Sequence, residues 1–90
     1  MARYTMTFTR HFVTQLDCVL NYYAEHHVGG KAYSSALLDI IRMDLRRILD
    51  EPIRSSYPTN RPRIRYFMSF DINITFHIQQ GRITVLNITY

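Results

Sequence analysis

The spacing of apolar residues changes twice along the chain and predicts a strand, two helices and three further strands. Residues 4–8 alternate apolar side chains with threonines, which is the period of a strand with one buried face. From Phe12 apolar residues recur at helical spacing until Gly29 and Gly30 break the pattern. A second helical stripe then runs to Pro52, and the short link between the two stripes predicts an antiparallel helical hairpin.

Beyond Pro52 a loop rich in Ser, Pro and Asn leads into three strand-like segments, 64–70, 72–78 and 83–89. The order βααβββ predicts an α+β fold in which the helical hairpin packs on one face of a small antiparallel sheet. With 90 residues, 47% of them hydrophobic, the chain is expected to form a single domain over residues 1–90.

The central strand predicts which side of the sheet is open. The apolar residues between 72 and 78 share one side, beneath the helices, so that Asn73, Thr75 and His77 face the other side. In the last strand Val85 and Leu86 are both apolar, which leaves its inward face undetermined. The phenylalanines are predicted to belong to the core, and these are Phe8, Phe12, Phe67, Phe70 and Phe76.

The positive charge is concentrated in one segment. The formal net charge is +4, and residues 52–70 contain four arginines and no acidic residue, while the remainder has seven basic and seven acidic residues. Arg61, Arg63 and Arg65 alternate with uncharged residues, so in an extended chain their side chains would leave the same side. Such a surface suits phosphates or an acidic partner, although a solvated basic linker has the same composition.

Other features limit the chemistry. No stretch reaches the roughly 18 apolar residues of a membrane span, and the start of the chain lacks the pattern of an export signal, so a cytoplasmic protein without membrane partners is expected. Cys18 is the only cysteine, which excludes an internal disulfide. His26 and His27 follow Glu25 at a helix end, where neighbouring side chains diverge. We therefore expect no metal and no cofactor.

The order of parts resembles the RelE/ParE superfamily of toxins from bacterial type II toxin–antitoxin systems. The resemblance covers nearly the whole chain and is carried by the order and spacing of soft motifs, found at 9–12, 21–23, 49–52, 65–67, 74–76 and 83–88. In the family an arginine precedes the central strands and the last strand is aliphatic, and Arg65, Val85, Leu86 and Ile88 occupy those places here.

The resemblance implies two alternative activities, because fold alone does not determine function. ParE-like toxins poison DNA gyrase without a catalytic step, whereas RelE-like toxins cleave messenger RNA in the ribosome. The two long helices and the single lysine, Lys31, favour the ParE-like branch. A catalytically silent binding module of the same fold is a third hypothesis, so enzymatic activity is left open.

The candidate site residues depend on the branch. A ribonuclease would need an acid, a base and cations for the phosphate. His77 is the candidate base or acid if it faces the open side of the sheet, and Tyr90 lies near the position where the family often has a C-terminal histidine or tyrosine. Arg65, with Arg63 or Arg82, would hold the phosphate. In either branch, the arginines expected to bind target or phosphate are Arg61, Arg63, Arg65 and Arg82. The alternative for His77 is plain polar surface, and for Tyr90 a frayed chain end.

The resemblance also implies partners. Such toxins pair with an antitoxin encoded beside them, and apolar residues outside the core stripe are the predicted docking positions, namely Tyr22, Tyr33 and Met43. The remaining expected partner is DNA gyrase or, for the second branch, the ribosome with messenger RNA.

Overall fold

The computed structural model describes residues 4–90, which form two helices and a sheet of five strands. In chain order the elements are β1 (Thr5–Phe8), α1 (Arg10–His26), α2 (Gly30–Asp50), β2 (Tyr57–Pro58), β3 (Ile64–Ser69), β4 (Ile72–Gln79) and β5 (Arg82–Thr89). The α+β prediction is confirmed. The loop predicted after Pro52 contains one additional short strand, β2, at the edge of the sheet.

The sheet has the order β1-β5-β4-β3-β2 and is mixed, which corrects the expectation of a purely antiparallel sheet. Strands β2 to β5 pair antiparallel, but β1 pairs parallel to β5. The cause is the helical hairpin: α1 carries the chain onward from β1 and α2 brings it back, so β3 starts from the same end as β1. After the two reversals at the β3–β4 and β4–β5 turns, β5 again runs in the direction of β1.

The core lies between the helices and one face of the sheet. Phe12, Ile41 and Ile48 from the helices are almost inaccessible to solvent and contribute to the same cluster as the inward residues of the strands. In β4 these inward residues are Ile72, Ile74 and Phe76, as their alternation predicts. Phe8 and Phe70, also predicted as core, are instead 47% and 90% exposed.

A β-bulge explains the ambiguous pattern of the last strand. Phe76 pairs with Val85, but the preceding Thr75 pairs with Asn87, so Leu86 is an extra residue without a partner. The inward side of β5 therefore shifts by one position at the bulge, and Ile83, Val85 and Ile88 are all buried.

Thr9 joins the start of α1 to this bulge. Its hydroxyl accepts a hydrogen bond of 3.0 Å from the Phe12 N–H and donates one of 3.1 Å to the Leu86 carbonyl. The first bond satisfies a free amide of the helix start. The second fixes the first helix against the last strand, 77 residues away in sequence.

The chain reversals give the molecule, which measures 41 × 25 × 21 Å, two chemically different ends. One end holds the β2–β3 loop and the β4–β5 turn, with Arg61, Arg63 and Arg82; we call it the arginine end. The opposite end holds the α1–α2 link and the β3–β4 turn; it is called here the aromatic end after Tyr23, Tyr33, Phe70 and Tyr90. Within residues 4–90 neither helix has the apolar length that a bilayer crossing requires.

Candidate functional site

A shallow depression of about 580 Å³ lies on the open face of the sheet at the arginine end. Its walls come from the adjoining ends of β4 and β5 and the turn between them, namely His77, Gln79, Gln80, Arg82 and Thr84. Thr84 is the cross-strand partner of His77, and Arg82 that of Gln79, so these side chains project from one face. His77 thus faces the open side, as its parity predicts.

The β4–β5 turn closes the depression with backbone geometry that suits a tight hairpin. Gln80 and Gly81 both have positive φ, 49° and 80°, which is the combination required for a two-residue hairpin loop matching the strand twist. Because the turn is short, the imidazole, the guanidinium and the Thr84 hydroxyl are held on a rigid hairpin. This set of groups can bind an anion, and His77 supplies the one imidazole among them.

The structure separates the three arginines that the sequence places on one side. Arg61 and Arg63 lie in the loop between β2 and β3 and are exposed. Thr59 organises this loop: its hydroxyl accepts from the Arg61 N–H at 3.2 Å and donates to the Ile64 carbonyl at 2.8 Å. Arg63 has φ 68°, so the chain is turned there and not extended. The expected shared side of Arg61, Arg63 and Arg65 is therefore wrong.

Arg65 points to the helix side of the sheet, opposite to His77. Its cross-strand partner is the buried Phe76, and its guanidinium reaches the segment after α2. The Nε donates to the Ser56 hydroxyl at 2.6 Å, while Nη2 donates to the carbonyls of Ile53 at 3.2 Å and Ser56 at 3.0 Å. Two of its three nitrogens are thus engaged within the chain, where they hold the α2–β2 connection against β3.

Tyr90 also lies away from the depression, at the aromatic end. Its hydroxyl is 2.6 Å from that of Tyr33, and its ring meets Tyr23 edge-on with centroids 4.8 Å apart. The hydrogen bond with Tyr33, followed by burial, raises the pKa of Tyr90 to about 12. Thr84 is the cross-strand partner of His77, and Tyr90 lies six residues beyond Thr84, which corresponds to about 20 Å along the strand. The predicted catalytic grouping of His77, Tyr90 and Arg65 is not brought together.

The predicted docking residues lie on the helices and do not form one compact patch. Tyr22 is 57% exposed on α1, where its ring contacts Tyr23 and His26. Met43 is 71% exposed on α2. Tyr33 borders an apolar depression of about 220 Å³ between α2 and the β3–β4 turn, which we call the apolar slot; its walls are Tyr33, Ala36, Leu37, Ile40, Phe70, Ile72 and Tyr90.

Two notable residues escaped the sequence pattern. Phe70 directly follows strand β3 and was predicted to belong to it, but it lies in the turn with φ 54° and projects into solvent. Asp44 lies on the inner face of α2, between the turns of Ile41 and Ile48, and one of its carboxylate oxygens has no hydrogen-bond partner. Burial raises the pKa of Asp44, while the Ser69 hydroxyl opposes this effect. The sequence signal that could have identified Asp44 is the position of an acidic residue within the apolar stripe of the second helix.

No model of a known protein family matches the chain, and neither does any curated protein. Among solved structures, the chain is similar to a structure of the chromosomal ParDE TA system from P. aeruginosa. The TM-score is 0.80 and the sequence identity is 16%, over 96% of this chain and 94% of that one. It is also similar to the toxin–antitoxin complex RelBE2 from Mycobacterium tuberculosis, with a TM-score of 0.70 and 14% identity over 98% of each chain.

A third similar structure is that of the conserved hypothetical protein HP0894 from Helicobacter pylori, with a TM-score of 0.60 and 12% identity over 98% of this chain and 92% of that one. At such identities the likeness concerns the fold. The two helices packed on a five-stranded mixed sheet are therefore a fold that the chain shares with the ParDE and RelBE2 structures, which confirms the fold that the resemblance predicts.

Proposed function

We propose that this chain is the toxin of a type II toxin–antitoxin pair and that it arrests growth by inhibiting DNA gyrase. The shared fold supports the first part, since two of the similar structures are of toxin–antitoxin systems. The observation that carries the second part is the separation of His77, Arg65 and Tyr90, which leaves the open-face depression without a second acid–base group. A gyrase poison needs a binding surface and no such pair.

Ribosome-dependent cleavage of messenger RNA is the alternative. The observation in its favour is the pairing of His77 with Thr84 and of Gln79 with Arg82 across one hairpin, because an imidazole beside a guanidinium can hold a phosphate and transfer a proton. A silent binding module of this fold is a third hypothesis, and it requires neither gyrase nor the ribosome.

The first experiment tests toxicity. Inducing the chain alone in a bacterial host is expected to stop growth, and co-expressing the small open reading frame beside its gene is expected to restore it. Normal growth with soluble, folded protein present would contradict the toxin proposal and favour the silent module.

The second experiment separates the two mechanisms. The purified chain is expected to inhibit supercoiling by gyrase and to leave translated messages intact. His77→Gln is expected to retain toxicity, and His11→Gln, which changes an exposed histidine on α1, is the matched control. Codon-phased cuts in messenger RNA, lost in the His77 variant and kept in the control, would establish the ribonuclease alternative, since acid–base catalysis contributes about a hundredfold or more.

The target-binding surface is tested at the exposed β2–β3 loop. We propose that Arg61 and Arg63, with Arg82, contact the acidic target, and that antitoxin docks on the helices around Tyr22, Tyr33 and Met43. Replacing Arg61 and Arg63 together by Gln is expected to reduce toxicity while antitoxin binding is retained. Met43→Glu is expected to weaken antitoxin binding while toxicity is retained. If both variants behave like the unchanged chain, these two assignments are wrong.

A further inference from the structure

Phe70 combines two unfavourable properties at the aromatic end. Its side chain is 90% exposed, although it is among the most apolar in the chain. Its backbone has φ 54°, a conformation that bulky residues rarely adopt and that glycine adopts without strain. A tight turn between β3 and β4 therefore needs no phenylalanine here. Strained backbone positions cluster at ligand-binding and switch sites, and the exposed ring gives this one an apolar contact surface.

The apolar slot adjoins this ring and has the size to receive one like it. Its volume is about 220 Å³, whereas an apolar cavity of about 150 Å³ accommodates benzene. Ile40 is 38% exposed at one wall, and Phe70 forms part of another. A projecting aromatic ring and an open apolar slot therefore lie side by side on the same surface.

We propose that the aromatic end is a self-association surface, where two copies of the chain pair about a twofold axis and the Phe70 ring of each enters the apolar slot of the other. A twofold interface must be self-complementary, so the projecting and the receiving parts have to lie on one patch. Phe70 and the slot meet this requirement. The two rings also come close to the axis, where offset or edge-to-face aromatic contacts add to the burial of apolar area.

The distribution of charge favours a second copy at this end. The net charge of +4 arises from the arginines of residues 52–70, and three of these, Arg61, Arg63 and Arg65, lie at or near the arginine end. Two copies that meet at their aromatic ends keep these charges at the two far ends of the pair. Around the slot both signs occur: Asp71 follows Phe70, and Asp39 pairs with Arg42 on α2 at 3.9 Å. Like charges therefore do not oppose the contact.

The test is the mass of the full chain by sedimentation equilibrium, from about 10 µM to about 1 mM, because small interfaces give weak dimers in this range. The average mass is expected to rise from 10.7 kDa towards twice that value. Phe70→Gly suits the positive φ and so preserves the fold, and it is expected to remain monomeric throughout. Ile40→Glu, which places a charge in the wall of the apolar slot, is also expected to remain monomeric throughout.

Gln80→Gly is the matched control, because Gln80 has a similar positive φ of 49° in the turn at the opposite end of the sheet. It is expected to associate like the unchanged chain. A monomer at every concentration would overturn the proposal, as would unaltered association of Phe70→Gly. Loss of association in Gln80→Gly as well would show that the aromatic end is not the surface responsible. Association that survives Ile40→Glu would refute the role of the slot.

Discussion

Arg65 is expected to act in folding rather than in target binding, and Arg65→Met tests this. The substitution keeps the hydrocarbon stem over the sheet but removes the three hydrogen bonds to Ile53 and Ser56. Each is worth about 1 kcal/mol net, so the partly exposed set contributes about 2–3 kcal/mol. At roughly 4–8 °C per kcal/mol for a domain of this size, the melting temperature is expected to fall by roughly 10–20 °C.

The matched control is Arg61→Met, which changes an exposed arginine of the β2–β3 loop. Its effect on the free energy of unfolding is expected to lie within about 0.5 kcal/mol. Both variants are compared by thermal and urea unfolding, with toxicity measured where each is still folded. If Arg65→Met melts within about 2 °C of the control, the hydrogen-bonded role of Arg65 is wrong. If it is stable yet inactive, Arg65 contacts the target after all.

Three further predictions concern other contacts. Thr9→Ala removes a helix cap and the bond to the bulge of β5, and is expected to cost about 2 kcal/mol in urea unfolding; the exposed Thr7→Ala is the control, and equal effects would contradict the reasoning. Burial raises the pKa of Asp44 above 3.8, so ionisation penalises the folded chain and stability falls as pH rises through the raised value. In Asp44→Asn the free energy of unfolding is expected to decrease less between acidic and neutral pH, and a pH profile of stability equal to that of the unchanged chain would refute this role of Asp44. Tyr33→Phe removes the main cause of the pKa of about 12 at Tyr90, which is expected to drop towards 10.0 in an NMR titration; an unchanged value would show that the hydrogen bond is not the cause.

The parts of the fold predictable from sequence are those whose pattern is local. The alternation through β4 determines its buried side and the orientation of His77, because side chains in a strand point alternately to the two faces. The helical stripes likewise determine both helices. The parallel pairing of β1 with β5 depends on how the helical hairpin returns the chain, which no local pattern contains.

The prediction that Arg61, Arg63 and Arg65 share one side failed because side chains alternate between the two faces of a sheet only within a continuous strand. The turned conformation at Arg63 precedes β3, so the alternation starts anew at Ile64 and places Arg65 on the side of Phe67, beneath the helices. The bulge at Leu86 had the same effect on β5. For Phe70, an apolar residue at the end of a strand pattern gives no sign that the turn has already begun.

The pairing of the first strand with the last has a consequence for the order in which the molecule is made. The helical hairpin and the β3–β4 reversal involve neighbouring segments and can form while synthesis continues. β1 has no strand to pair with until β5 is complete, and closing this contact spans 77 residues. A growing chain therefore carries an unpaired β1 until β5 emerges, and this eight-residue strand completes the native sheet.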